Sequence, residues 1–117
     1  MKKMKKTFSR QGPDRTSKIV CLCGSTSFKK QFEEVAKIET LKLNIVLTVG
    51  YFGHKEKTQP TLDLKKELDM LHLKKIDLAD EIVIITINNY IGTSTAKEIQ
   101  YAKKTNKPIR YVNFIHF

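Results

Sequence analysis

One carboxylate in this 117-residue chain stands where a nucleophile would. Glu98 follows the turn Gly92-Thr93-Ser94-Thr95, which opens a short helical run. Unpaired backbone amides at a helix start attract negative charge. A second turn of the same chemistry, Gly24-Ser25-Thr26-Ser27, follows an apolar run near the start of the chain. Glycine there lets the backbone approach a ligand, and hydroxyls and amides can hold an anion. Phosphate or ribose is the natural guest of two such turns. A carboxylate beside the sugar could stabilise an oxocarbenium-like carbon or bond to it. Both features also have plainer readings. Thr95-Ala96-Lys97-Glu98 fits a capping box, in which Glu98 reaches back to the Thr95 amide and contributes on the order of 1 kcal/mol. Ser27 or Thr26 fits as the cap of the helix after the first turn.

The histidines and cysteines divide in the same way. His72 lies beside the leucines of a long helical run, where an imidazole is usually a half-buried packing group. Its ordinary pKa near 6.5 also suits it to acid or base work. His54 neighbours Tyr51 and Phe52 in a loop with glycines at positions 50 and 53. Such a loop can fold over a ligand, or simply pack its aromatics down. His116 carries no functional weight. Cys21 and Cys23 are expected on opposite faces of a strand, unpaired, as buried thiols in a reducing cytoplasm. With no second cysteine pair, neither a metal site of the usual zinc spacing nor a cofactor is expected.

Seven elements must position these groups. Residues 18–23, 44–50, 81–87 and 108–115 read as strands, and 27–43, 61–80 and 94–106 as helices. The first helix spaces Phe28, Phe32, Val35, Ile38 and Leu41 on one face; the second aligns Leu64, Leu68, Leu71 and Leu78. Lysines crowd the end of the third, where Asn106 suits a left-handed cap and Pro108 forbids continuation. The run 81–87 is β-branched without alternation, as a strand covered on both faces should be. Strands alternating with helices predict one α/β domain over 18–117. It should be a Rossmann-like, flavodoxin-like parallel sheet of four to five strands, order 2-1-3-4, with helices on both faces. Ligands of such sheets bind outside the carboxyl ends of the strands where the order reverses, and the turns at 24–27 and 88–95 meet there.

The net charge is +10, but residues 1–18 hold seven Lys/Arg against one Asp, leaving +4 for the remainder. Residues 1–17 lack an apolar pattern and read as a disordered basic tail. Such a tail supplies little specificity, so nucleic acid is not expected as a partner. No apolar run approaches the roughly 20 residues of a membrane span, and no apolar segment of a signal peptide follows the basic start. A cytoplasmic protein without a membrane partner is expected.

Taken together, "CLCGSTSF", "HLKKIDLADEIVII" and "YIGTSTAKEIQYAKKTNKPI" resemble the nucleoside 2-deoxyribosyltransferase superfamily, which includes the 2′-deoxynucleoside 5′-phosphate N-hydrolases. The resemblance covers residues 18–113. Its pattern is carried here by Gly24-Ser25, Ala79-Asp80, Gly92-Thr93, Glu98 with Ala102, and Lys107-Pro108. It implies that Glu98 attacks the anomeric carbon of a nucleoside or nucleotide and expels the base. It also implies that Ser25 and Ser94 contact sugar or phosphate, and that subunits pair in a homodimer or larger assembly. The chain departs from the pattern at three places. His72 stands where an aspartate is usual, Cys21 where a tyrosine often stands, and Asn88-Asn89-Tyr90 where an acid often precedes the second turn. A weaker similarity to the lysine-decarboxylase-like phosphoribohydrolases lacks their "PGG" and would imply the same reaction class.

The expected activity is therefore an N-glycosidic bond hydrolase or transferase with Glu98 and His72 as catalytic candidates. Gly24, Ser25, Thr26, His54, Asn88, Tyr90, Gly92, Thr93 and Ser94 are the candidate ligand contacts. The alternative is a protein of the same fold that holds a nucleotide-derived ligand without turnover.

Overall fold

A computed structural model describes residues 17–53 and 60–116. The basic segment up to residue 16 lies outside them. Four strands, β1 (Ile19–Cys23), β2 (Ile45–Leu47), β3 (Glu81–Ile87) and β4 (Ile109–Phe114), form one parallel sheet in the order β2-β1-β3-β4. Among the described residues, three helices, α1 (Lys29–Leu41), α2 (Leu62–Leu78) and α3 (Thr93–Lys104), lie between the strands. The predicted architecture and strand order are those observed.

β3 is central, which accounts for its composition. Residues 82–86 are all buried, because β1 and β4 flank it and helices cover both faces. One face carries Val20, Leu22, Val83 and Ile85 against Phe28, Phe32 and Val35 from α1 and its approach. Phe32 meets Phe52 edge-on at 5.3 Å between ring centroids. The opposite face carries Cys21, Cys23, Ile82 and Ile84 against Ile76 and Ala79 from α2 and its exit, and Ile99 and Ala102 from α3.

The residues of the family-like pattern have structural work here. The Asp80 carboxylate accepts a bond from the Ile19 amide at 2.8 Å, fixing β1 beside β3. Lys107 Nζ donates to the carbonyls of Asp77 and Ala79 at 2.9 and 2.8 Å, closing the C-terminal end of α2. Ala102 is fully buried where α3 lies on the sheet. Asn106 takes the left-handed conformation expected of it, with φ 60°.

At the amino edge of the sheet, the buried Glu39 holds three elements together. Its carboxylate accepts bonds from Arg110 at 3.1 Å, Asn44 at 2.9 Å and Lys42 at 3.1 Å. Arg110 also reaches Glu81 at 3.3 Å. Despite burial, these donors hold the Glu39 carboxyl at about 2.

Two expectations about the helices need correction. The leucine stripe of α2 is not its packed face: Leu64, Leu71 and Leu78 are 47%, 47% and 66% exposed, while His72 and Ile76 are buried. Ile38 and Leu41 of α1 are likewise exposed. Helical spacing finds a stripe, but tertiary contact decides which stripe meets the sheet.

Candidate functional site

A cleft of about 510 Å³ opens beside the carboxyl ends of β1 and β3, where the strand order reverses. The turns after those strands, residues 49–53, and the inner sides of α2 and α3 form its walls. Of the predicted ligand contacts, Gly24, Ser25, Thr26, Tyr90, Gly92, Thr93 and Ser94 line it, and both catalytic candidates, His72 and Glu98, line it too. Asn88 does not. Its side-chain amide donates to the His116 carbonyl at 2.8 Å and its oxygen accepts from the His116 amide at 3.0 Å, tying down the chain after β4. His54 lies outside the described residues.

The first turn is shaped by packing. A methyl at Gly24 would stand 2.8 Å from the Ile85 carbonyl oxygen and 3.2 Å from the Phe32 ring. Glycine is therefore needed where the turn crosses β3. The Ser27 amide donates to Ser25 Oγ at 3.2 Å, and the two hydroxyls bond each other at 2.7 Å. The expected cap at Ser27 or Thr26 is not formed: the cap position is Phe28, without a side-chain cap bond.

The second turn overturns the capping reading of Glu98. α3 is capped at Gly92, whose carbonyl accepts the Ala96 amide at 2.9 Å. Thr95 is already inside the helix and buried, and no side chain bonds the cap. Glu98 thus lies in the second turn, beyond reach of a box. Its side chain instead enters a cluster beneath the cleft. Burial pushes its carboxyl above the ordinary value, His72 opposes that rise, and Cys21 and Asp69 add to it; the nearby Cys23 thiol lowers it slightly.

Cys21 and Cys23 share one face of β1, not opposite faces. Side chains alternate along a strand, so residues two apart point the same way. Both sulfurs meet His72 Nε2, at 3.7 Å from Cys21 and 3.3 Å from Cys23. The Cys23 thiol holds Cys21 down at about 5 against its burial, with help from His72 and Lys75. Cys23 is pushed well up, by the Cys21 thiol and then by burial. Burial alone would lower the His72 pKa, yet the Cys21 bond and the Glu98 charge raise it.

Other groups in the cleft were not foreseen. Lys65 Nζ pairs with both Asp69 oxygens at 2.8 and 3.0 Å and reaches Ser94 Oγ at 3.2 Å, joining α2 to α3. Lys75 Nζ donates to the Thr48 carbonyl at 2.6 Å. Their signal was the spacing 65, 69, 72, 75, which is one helix face. The leucine stripe beside it concealed that face. The linear spacing argument against a zinc-type ligand set also missed His72, which only the fold brings to the two sulfurs. Among the described residues, no helix is long and apolar enough to cross a membrane.

No protein-family model matches the chain, and no curated protein matches it.

Proposed function

We propose that the cleft binds a nucleoside or its phosphate and that Glu98 breaks the N-glycosidic bond. The observation that carries this reading is the placement of Glu98. It is a partly buried carboxylate with no capping bond, on the wall of a cleft at the reversal of strand order. Lys65, Lys75 and the amides that open α3 supply positive potential for a phosphate, and Tyr90 at the exposed rim offers a ring to a base.

In this reading a Glu98 oxygen bonds to the anomeric carbon as the carbon–nitrogen bond breaks. The electron pair leaves on the base, which gains a proton from water or an acid. Water, or a second base, then takes the sugar from Glu98 and restores the carboxylate. His72 Nε2 faces the thiols, so the contribution of His72 is charge: it opposes the desolvation that would keep Glu98 protonated. The resemblance implies the same role for Glu98 and a homodimer.

A second reading, binding without turnover, is favoured by a specific feature. Asp69 is engaged with Lys65, and His72 Nε2 with sulfur, so neither is directed at a departing base. Incubating the protein with a panel of nucleosides and nucleotides, and assaying released base by chromatography, separates the two. Release that depends on Glu98 supports the enzyme; saturable binding without release supports the second reading.

A further inference from the structure

We propose that Cys21, Cys23 and His72 bind one zinc(II) ion, with the fourth position open to the cleft. The proposal is independent of the glycosidic reading. The three donor atoms lie within 4.8 Å of one another and all three residues are buried. Zinc bonds sulfur at about 2.3 Å and imidazole nitrogen at about 2.0–2.1 Å, so tetrahedral angles separate the two donors by roughly 3.5 Å. The observed separations of 3.3 and 3.7 Å bracket that distance. Side chains alone, without an ion, already hold nearly the spacing that coordination requires.

Three protein ligands leave a fourth position open toward the cleft. Glu98 lies outside this ligand set but near enough to His72 for their charges to interact. His72 lines the cleft while the sulfurs lie beneath it, which gives an ion a route inward past the imidazole. Two thiolates and an imidazole select a borderline or soft ion and reject magnesium and calcium, which take oxygen ligands. The Lys75 ammonium is close enough to be felt by Cys21 and His72 and counts against a cation. Two thiolates and a carboxylate outweigh it, three charges to one. Loading releases the thiol protons to solvent and leaves His72 neutral, with Nε2 on the metal.

The chain has only two cysteines, which makes cobalt(II) an unambiguous probe. Cobalt is titrated anaerobically into the reduced, full-length protein and followed by absorption. The expected result is saturation near one equivalent. Near-ultraviolet sulfur-to-cobalt bands and intense visible bands of tetrahedral cobalt should appear, and zinc but not magnesium should abolish both. Cys21→Ser with Cys23→Ser should eliminate the ultraviolet bands. Should that double variant not fold, His72→Gln keeps both sulfurs and should bind at least tenfold more weakly. The proposal is overturned if folded, reduced wild type shows no sulfur-to-cobalt bands, or if His72→Gln binds cobalt as tightly as wild type. Because absorption reports the ion, this outcome is read whether or not any base is ever released.

Discussion

His72 Nε2 stands 3.3 Å from the Cys23 sulfur, and the Glu98 carboxyl lies near enough for its charge to raise the His72 pKa. Three elements converge in that contact: α2 brings the imidazole, β1 the thiol and α3 the acid. An imidazole buried at 5% exposure beside a carboxyl is costly unless each group answers the other's charge or hydrogen-bonding need. The cluster is therefore the place where substitutions should separate stability from function.

Glu98→Gln should leave stability within about 0.5 kcal/mol of wild type or raise it. No capping bond is lost, and a carboxylate is no longer desolvated. Urea denaturation of the two proteins measures this. A loss above about 1 kcal/mol would show that Glu98 is chiefly structural.

The Glu39–Arg110 pair should dominate acid stability. Glu39 titrates at about 2 in the folded protein, below the roughly 4.3 of an unfolded glutamate. Its contribution is therefore complete above the unfolded value and is lost as pH falls from about 4.3 to about 2. Arg110→Met should cost on the order of 2 kcal/mol at pH 7, because Lys42 and Asn44 still compensate part of the buried charge. The difference between variant and wild type should shrink below pH 4. Denaturation curves across that range check it, and a difference independent of pH would contradict it.

Gly24→Ala should cost roughly 1–3 kcal/mol, because the new methyl would meet the Ile85 carbonyl at 2.8 Å. The turn would have to move away from β3, so ligand affinity should fall together with melting temperature. An alanine variant as stable as wild type would mean that the turn yields easily and that Gly24 serves the ligand instead.

These contacts show what can be read from the chain alone and what cannot. Strand order was legible because β-branched runs alternate with helical periods, and the run at 81–87 fits only a doubly covered strand. The cleft was legible because its position follows from strand order. The cysteine–histidine cluster was not, since Cys23 and His72 are 49 residues apart and meet only when α2 lies on β1. The capping alternative for Glu98 arose because Thr95 has the right type and spacing. The choice of Gly92 as the cap rests on backbone geometry that no short motif encodes. The α2 stripe was misassigned because the aligned leucines outnumber His72 and Ile76, the two residues of the helix that are in fact buried.

The exposed stripe should pair two copies of the chain. Leu64, Leu71 and Leu78 recur every seven residues along α2 and are each at least 47% exposed, the spacing of a helix–helix seam. We expect sedimentation at micromolar concentration to give a dimer, and Leu78→Glu, which lies away from the cleft, to give a monomer with the cleft intact. A wild-type monomer, or a dimer indifferent to Leu78→Glu, would refute this arrangement.

Glu98 as nucleophile is tested most directly by release of base. Wild type and Glu98→Gln are incubated, without added metal and with a chelator present, with the same nucleosides and nucleotides, and base is assayed by chromatography. Nucleophilic catalysis requires release by wild type from at least one of them and a fall of several orders of magnitude in the Gln variant. Equal release by both proteins, or binding of nucleotide by wild type with no release from any member of the panel, contradicts it.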